Sequence, residues 1–189
     1  VNTDENKEKS YNTQNLKDND ELESFLKRIY AFLNNHNINN VKKEEVIEYY
    51  KKQADNGDTL GMLACTLLIQ STDVEKSAYY CKMAADNGEL TAMHHYGKIN
   101  EEGYGVPINL KASIKYYKMA VDKGYVPAMV DYARLIIKGV GSEFPPNRRE
   151  FWHYIKIAAE NGDKSALYAY GSALIIGKEF PADIEKGLK

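Results

Sequence analysis

Four stretches of this chain close in the same way: YYKKQADNG ending at Gly57, YYCKMAADNG at Gly88, YYKMAVDKG at Gly124 and HYIKIAAENG at Gly162. The closing glycines lie 31, 36 and 38 residues apart. A period of that length marks an array of small units, each unable to bury its apolar face alone and obliged to stack on the next. Eight residues before each glycine stand Tyr49, Tyr80, Tyr116 and Tyr154. Four and three before it come mostly alanines: Ala54, Ala84, Ala85, Ala120, Ala158 and Ala159. On a helix these positions share one stripe, where the aromatic supplies buried area and the alanine admits a close neighbour.

Counting forward from the glycine gives Gly61, Ala92, Ala128 and Ala166 at four, Met62, Met93, Met129 and Leu167 at five, and Cys65, Tyr96, Tyr132 and Tyr170 at eight. That spacing predicts a second amphipathic helix in each unit. The glycine between the two takes a left-handed backbone without a Cβ clash and turns the chain back. Each unit therefore reads as helix, tight turn, helix. Fifteen residues further on come Gly103, Gly139 and Gly177, in EEGYGVPINLKAS, IKGVGSEFPPNRRE and IIGKEFPADIEKG. Glycine ends the second helix, proline forbids its continuation, and Asn109, Asn147 or Asp183 caps the next first helix. The first unit joins the second through the shorter QSTDVEKS, with Asp73 as cap.

The pattern A-A-x-x-G, alanine four residues on, Y-G, G-x-G-V-P and N/D-x-x-x-A resembles the Sel-1-like repeat, a relative of the tetratricopeptide repeat. The copy nearest the pattern runs AADNGELTAMHHYGKINEEGYGVPINLKAS, from Ala84 to Ser113. Departures are Gly61 in place of alanine, the missing glycine loop of the first unit, and the extra GSEFPPN between the third and fourth. The resemblance implies an all-α fold, an α/α superhelix wound as a right-handed solenoid of about four helix-turn-helix repeats. It also implies a protein-protein interaction scaffold or adaptor without catalytic activity, binding a peptide or partner domain in its concave groove. Two alternatives stand beside it: a regulatory repeat module of a larger enzyme or receptor, and a hydrolase or cell-wall-binding protein.

The expected organisation has three parts. Residues 1–20 are nearly devoid of apolar side chains and read as a flexible polar tail. Residues 21–40 carry Leu22, Phe25, Leu26, Ile29, Tyr30 and Leu33 at helical spacing after Asp20, then a linker; this N-terminal helix is expected to cap the array. Residues 41–189 form the repeats, about 42–72, 73–108, 109–146 and 147–182, with the start of a fifth helix pair at 183–189. Because the sequence stops inside that helix, at EKGLK, it is expected to be a fragment or to continue in a further repeat.

Partner-reading positions should differ between repeats where core positions agree. Nine and five residues before each glycine, on one helix face, stand Glu48 and Lys52, Tyr79 and Met83, Lys115 and Met119, His153 and Ile157. The resemblance implies lysine at the second of these positions, so Met83, Met119 and Ile157 put apolar surface where charge is usual. They read as the lining of the concave face, or as filler between helices. Six residues before each glycine stands a lysine, Lys51, Lys82, Lys118 and Lys156; such a ladder could grip an acidic segment or simply be the solvated side of each helix.

Charge and composition narrow the classes further. With 25 Lys and Arg against 27 Asp and Glu in 189 residues, the chain lacks the basic excess of a dedicated nucleic-acid binder. Its most apolar run, Met62 to Ile69, falls far short of the roughly 20 residues that cross a bilayer. The sequence begins at Val1 with no basic-then-apolar leader and holds no Asn-x-Ser/Thr acceptor, which leans towards the cytoplasm. A monomer is expected. No cofactor or metal is called for: His94 and His95 are adjacent and point about 100° apart on a helix, and Gly103–Gly105 and Gly139–Gly141 lack the Lys-Ser/Thr of a phosphate loop. Cys65 and Cys81 could be neighbours, as a disulfide or as two buried thiols. The cysteine-rich branch of the resembling family pairs cysteines within each repeat, whereas the other repeats here hold Tyr or Ile at those places, which favours thiols.

Overall fold

The computed structural model describes residues 40–177 together with Glu179 and Gly187, with side chains from Glu44 onward. The expected polar tail, the N-terminal helix and its capping role, Asp183, and the fifth helix pair apart from Gly187 lie outside these residues. Among the described residues there are eight helices: α1 Asn40–Asp55, α2 Thr59–Ile69, α3 Val74–Asp86, α4 Leu90–Glu102, α5 Leu110–Asp122, α6 Val126–Lys138, α7 Arg148–Glu160 and α8 Lys164–Ile176. No strand occurs among them, only an isolated antiparallel bridge between Val140 and Phe144. The helices fall into two compact units, α1–α4 before Leu110 and α5–α8 from Leu110 on. Within each, every helix packs on the next.

All four hairpins turn by one device. Gly57, Gly88, Gly124 and Gly162 have φ of 89°, 98°, 83° and 86°, the left-handed region that favours glycine. The amide of the following residue returns to the carbonyl four residues before the glycine: Asp58 to Gln53 at 3.0 Å, Glu89 to Ala84 at 3.1 Å, Tyr125 to Ala120 at 3.0 Å and Asp163 to Ala158 at 3.0 Å. These bonds satisfy helix-end carbonyls that would otherwise face inward unpaired. The same residue then starts the next helix. Asp58 Oδ2 accepts from the Gly61 amide at 2.7 Å, Asp163 Oδ1 from Ala166 at 2.9 Å, and Glu89 caps Ala92 in the same way. At the third turn Tyr125 has no side chain for the task, and Pro127 in the first turn of α6 removes one donor instead. The expected caps Asp73 and Asn147 also hold, accepting from Lys76 and Glu150 at 3.0 Å each.

Packing corrects one expectation about the first helices. The position eight before the glycine is not uniformly core: Tyr80 is buried, Tyr116 and Tyr154 are half-buried, and Tyr49 is 58% exposed. The buried register is one residue later, where Cys81, Tyr117 and Ile155 sit. At Tyr80 and Tyr154 the earlier position is turned towards the helix pair before it. Tyr80 lies beside Cys65, and Tyr154 meets Tyr132 edge-on with ring centroids 5.4 Å apart. The three methionines five residues after the glycine, Met62, Met93 and Met129, are fully buried.

Gly61 also has a physical reason. At the crossing of each hairpin, Ala84, Ala120 and Ala158 stand four residues before the glycine and Ala92, Ala128 and Ala166 four after, all essentially inaccessible. In the first hairpin Gln53 takes the earlier place. A Cβ on Gly61 would meet the Ala54 amide nitrogen at 2.7 Å and Gln53 Cβ at 2.8 Å, so the larger residue on α1 is matched by the smallest on α2. Eleven residues before the glycine, Ser77 and Ser113 are both buried. Ser77 Oγ donates to Thr66 O at 2.7 Å, while Ser113 Oγ has no partner among the described residues.

Two stability measurements follow. Gly61→Ala should cost about 1–3 kcal/mol in chemical unfolding, because backbone and not a flexible side chain must yield. Ser77→Ala should cost about 1 kcal/mol for its lost bond, whereas Ser113→Ala should be neutral or slightly stabilising; equal losses at both serines would contradict this assignment.

Candidate functional site

The eight residues singled out for partner binding all lie at the surface of first helices. In the first unit Glu48, Lys52 and Tyr79 are exposed and Met83 is half-buried; in the second Lys115, Met119 and His153 are exposed and Ile157 is half-buried. Each helix contributes one pair, four residues apart on one face: α1, α3, α5 and α7 in order. Met119 is 39% exposed, in contrast to the three core methionines. The aromatic members are steadied by their neighbours. Tyr79 packs edge-on against Tyr80 at 5.5 Å between centroids, and His153 against Tyr154 at 5.0 Å. Such contacts fix a side chain before any partner arrives and reduce the entropy lost on binding.

The lysine ladder is internally compensated. Four residues after each lysine the sequence places an acid: Asp55, Asp86, Asp122 and Glu160. Lys82 pairs with Asp86, Lys118 with Asp122, and Lys156 with Glu160 at 3.7 Å. Lys118 also lies 6.0 Å from the centre of the Tyr132 ring, whose hydroxyl donates to Glu150 Oε1 at 3.0 Å. This half-buried cluster of α5, α6 and α7 ties neighbouring helices together.

One contact at this face has no signal in the repeat pattern. Glu143, in the inserted loop between α6 and α7, reaches α5 and places Oε2 3.0 Å from Lys111 Nζ and Oε1 3.9 Å from Lys115 Nζ. The hydrogen bond from Lys111 and the nearby Lys115 charge hold its carboxyl below the usual range.

Cys65 and Cys81 are free, buried thiols. Burial pushes the Cys65 thiol up to about 11 and Cys81 higher still, so neither supplies thiolate at neutral pH. A cavity of about 90 Å³ lies between α2, α3 and α4, lined by Leu63, Thr66, Leu67, Cys81, Thr91, Ala92 and His95. Its polar groups are largely spent within the protein: Thr66 Oγ1 donates to Met62 O at 2.9 Å, Thr91 Oγ1 to Glu89 at 2.6 Å, and Cys81 Sγ to Ala92 O at 3.6 Å. His95 reaches solvent at the cavity wall, and partial desolvation there, followed by the neighbouring His94 and Lys98, holds it below the ordinary imidazole range. Among the described residues no three His, Cys, Asp or Glu side chains gather as metal ligands, and no helix is long and apolar enough to cross a membrane.

Comparison with known proteins agrees with the hairpin geometry. The Sel1 repeat profile matches residues 63–89, 90–125 and 164–189, leaving unmatched the stretch that contains the inserted loop. No curated protein sequence matches the chain. Among solved structures, a Sel1 repeat protein from Oxalobacter formigenes is similar over 77% of this chain, with 24% identity and a TM-score of 0.66. A protective antigen of uropathogenic Escherichia coli with an SLR fold is similar over 75%, with 20% identity and a TM-score of 0.57. Cysteine-rich protein B of Helicobacter pylori is similar over 66% of this chain and 92% of its own, with 18% identity and a TM-score of 0.51. The chain spans 61% of the Oxalobacter protein and 38% of the E. coli one. With glycine-turned helix pairs running through the described residues and three matched repeats, the chain carries Sel1 repeats in an all-α fold of the tetratricopeptide-like kind.

Proposed function

We propose that this protein is a monomeric, non-catalytic adaptor that docks a peptide or a partner domain on the variable faces of its first helices. Sel1-repeat proteins are generally interaction scaffolds and typically not catalysts. The observation that carries the reading is the division of labour among positions. The alanines at the hairpin crossing and Met62, Met93 and Met129, which agree in chemistry between repeats, are buried. The eight candidate residues, from Glu48 and Lys52 to His153 and Ile157, differ between repeats and are at the surface. A fold needs the first set; the second set is free to be shaped by a partner.

Such a surface binds by shape and by the removal of apolar groups such as Met119 and Tyr79 from water, with the lysines and Glu48 setting orientation. No bond is made or broken. A charge placed at Met83 and Met119 would be stranded in the interface while leaving the free protein folded, since both side chains reach solvent.

Affinity capture from source lysate with the wild type and with Met83→Asp/Met119→Asp should recover a partner with the wild type and lose at least about tenfold of it with the variant, at equal helical circular dichroism. Recovery of the same proteins by both would remove the first-helix face from consideration.

A further inference from the structure

We propose that α5 carries a subsite for an acidic side chain of the partner, and that Glu143 of the inserted loop occupies it until the partner displaces it. This rests on the docking of a partner on the first-helix faces. Lys111, Lys115 and Met119 follow one another at four-residue intervals along α5 and so form a single stripe. Glu143 spends one carboxylate oxygen on each lysine, at 3.0 and 3.9 Å. The loop that delivers it is an addition to the repeat pattern, closed on itself by the Val140 amide donating to Phe144 O at 2.7 Å. Glu143 is the one acidic residue between Gly139 and Arg149, in GVGSEFPPNRR.

The surroundings are set for an anion. From Leu110 to Arg149 eight Lys and Arg face three Asp and Glu, in a chain whose formal net charge is -2. Asp122 and Asp131 are engaged elsewhere, with Lys118 and Arg134, and among the described residues Glu143 is the acid paired with Lys111 and Lys115. The side chains of Lys111, Lys115 and Glu143 are 54%, 63% and 47% exposed. Ion pairs so open to water are weak, and a second carboxylate can take the place of the first while the loop stays closed. Because the stripe continues into Met119, it suits a protein segment that mixes acidic with apolar side chains better than a polyphosphate.

The test is fluorescence anisotropy with fluorescein-labelled oligo-glutamate, using the full chain at low salt, where surface charge is least screened. Glu143→Gln should bind roughly two- to fivefold more tightly than wild type, within the range open to a surface ion pair. Adding Lys111→Gln and Lys115→Gln should abolish the gain, and Glu102→Gln, which removes a like charge from the pair with Lys98 on α4, should not produce it. Equal gains from Glu143→Gln and Glu102→Gln would reduce the effect to net charge and overturn the proposal. Tighter binding of oligo-dT than of oligo-glutamate by Glu143→Gln would overturn it in favour of nucleic acid. If the acidic subsite fails while Met119→Asp still loses its partner in capture, docking on the first helices stands without it; if Met119→Asp loses nothing, the docking reading fails independently.

Discussion

Everything in this array depends on how closely two helices approach beside each turn. The left-handed glycine reverses the chain within a residue or two, and the returning amide seals the carbonyl four residues before it. Such a short reversal leaves room only for small residues at the crossing. Alanine faces alanine in three hairpins, and where Gln53 replaces one alanine Gly61 replaces the other. The departure from the family pattern at Gly61 is thus a local compensation, made where a larger side chain intrudes on a backbone contact.

Once the crossing is fixed, the remaining positions of each helix acquire distinct duties. One edge of the first helix, with Cys81, Tyr117 and Ile155, packs inside its own unit; the adjacent one, with Tyr80 and Tyr154, packs on the second helix before it. The edge carrying Met119 and His153 is left to solvent. A protein that binds through residues irrelevant to its core can change partner without losing its fold, which is the physical advantage of a repeat over a single globular core. The thiols of Cys65 and Cys81 are buried, and Cys81 lines the small cavity between α2, α3 and α4.

Much of the fold was legible in the sequence because its determinants are local and repeat. Turn glycines, the caps Asp73 and Asn147, and the period of apolar residues each act within a few positions. Two features were not legible, for identifiable reasons. The doublets Tyr49-Tyr50, Tyr79-Tyr80 and Tyr116-Tyr117 satisfy the helical pattern whichever tyrosine faces inward, since neighbours on a helix differ by about 100° and only packing chooses. Glu143 meets Lys111 across an insertion that interrupts the period, so no spacing rule connects them. The candidate face was read from variability between repeats, and the burial of Met62, Met93 and Met129 against the exposure of Met119 gives that reading its physical content.

Those methionines also offer the most direct measurement. Peroxide oxidation followed by mass spectrometry reports the accessibility of each thioether in one sample, with the buried three as internal controls. In the free protein Met119 should oxidise first, Met83 more slowly, and Met62, Met93 and Met129 only on unfolding. With the captured partner bound, Met119 should become protected while the buried three stay unchanged. An oxidation rate at Met119 that is the same with and without the partner would contradict docking on the first-helix face.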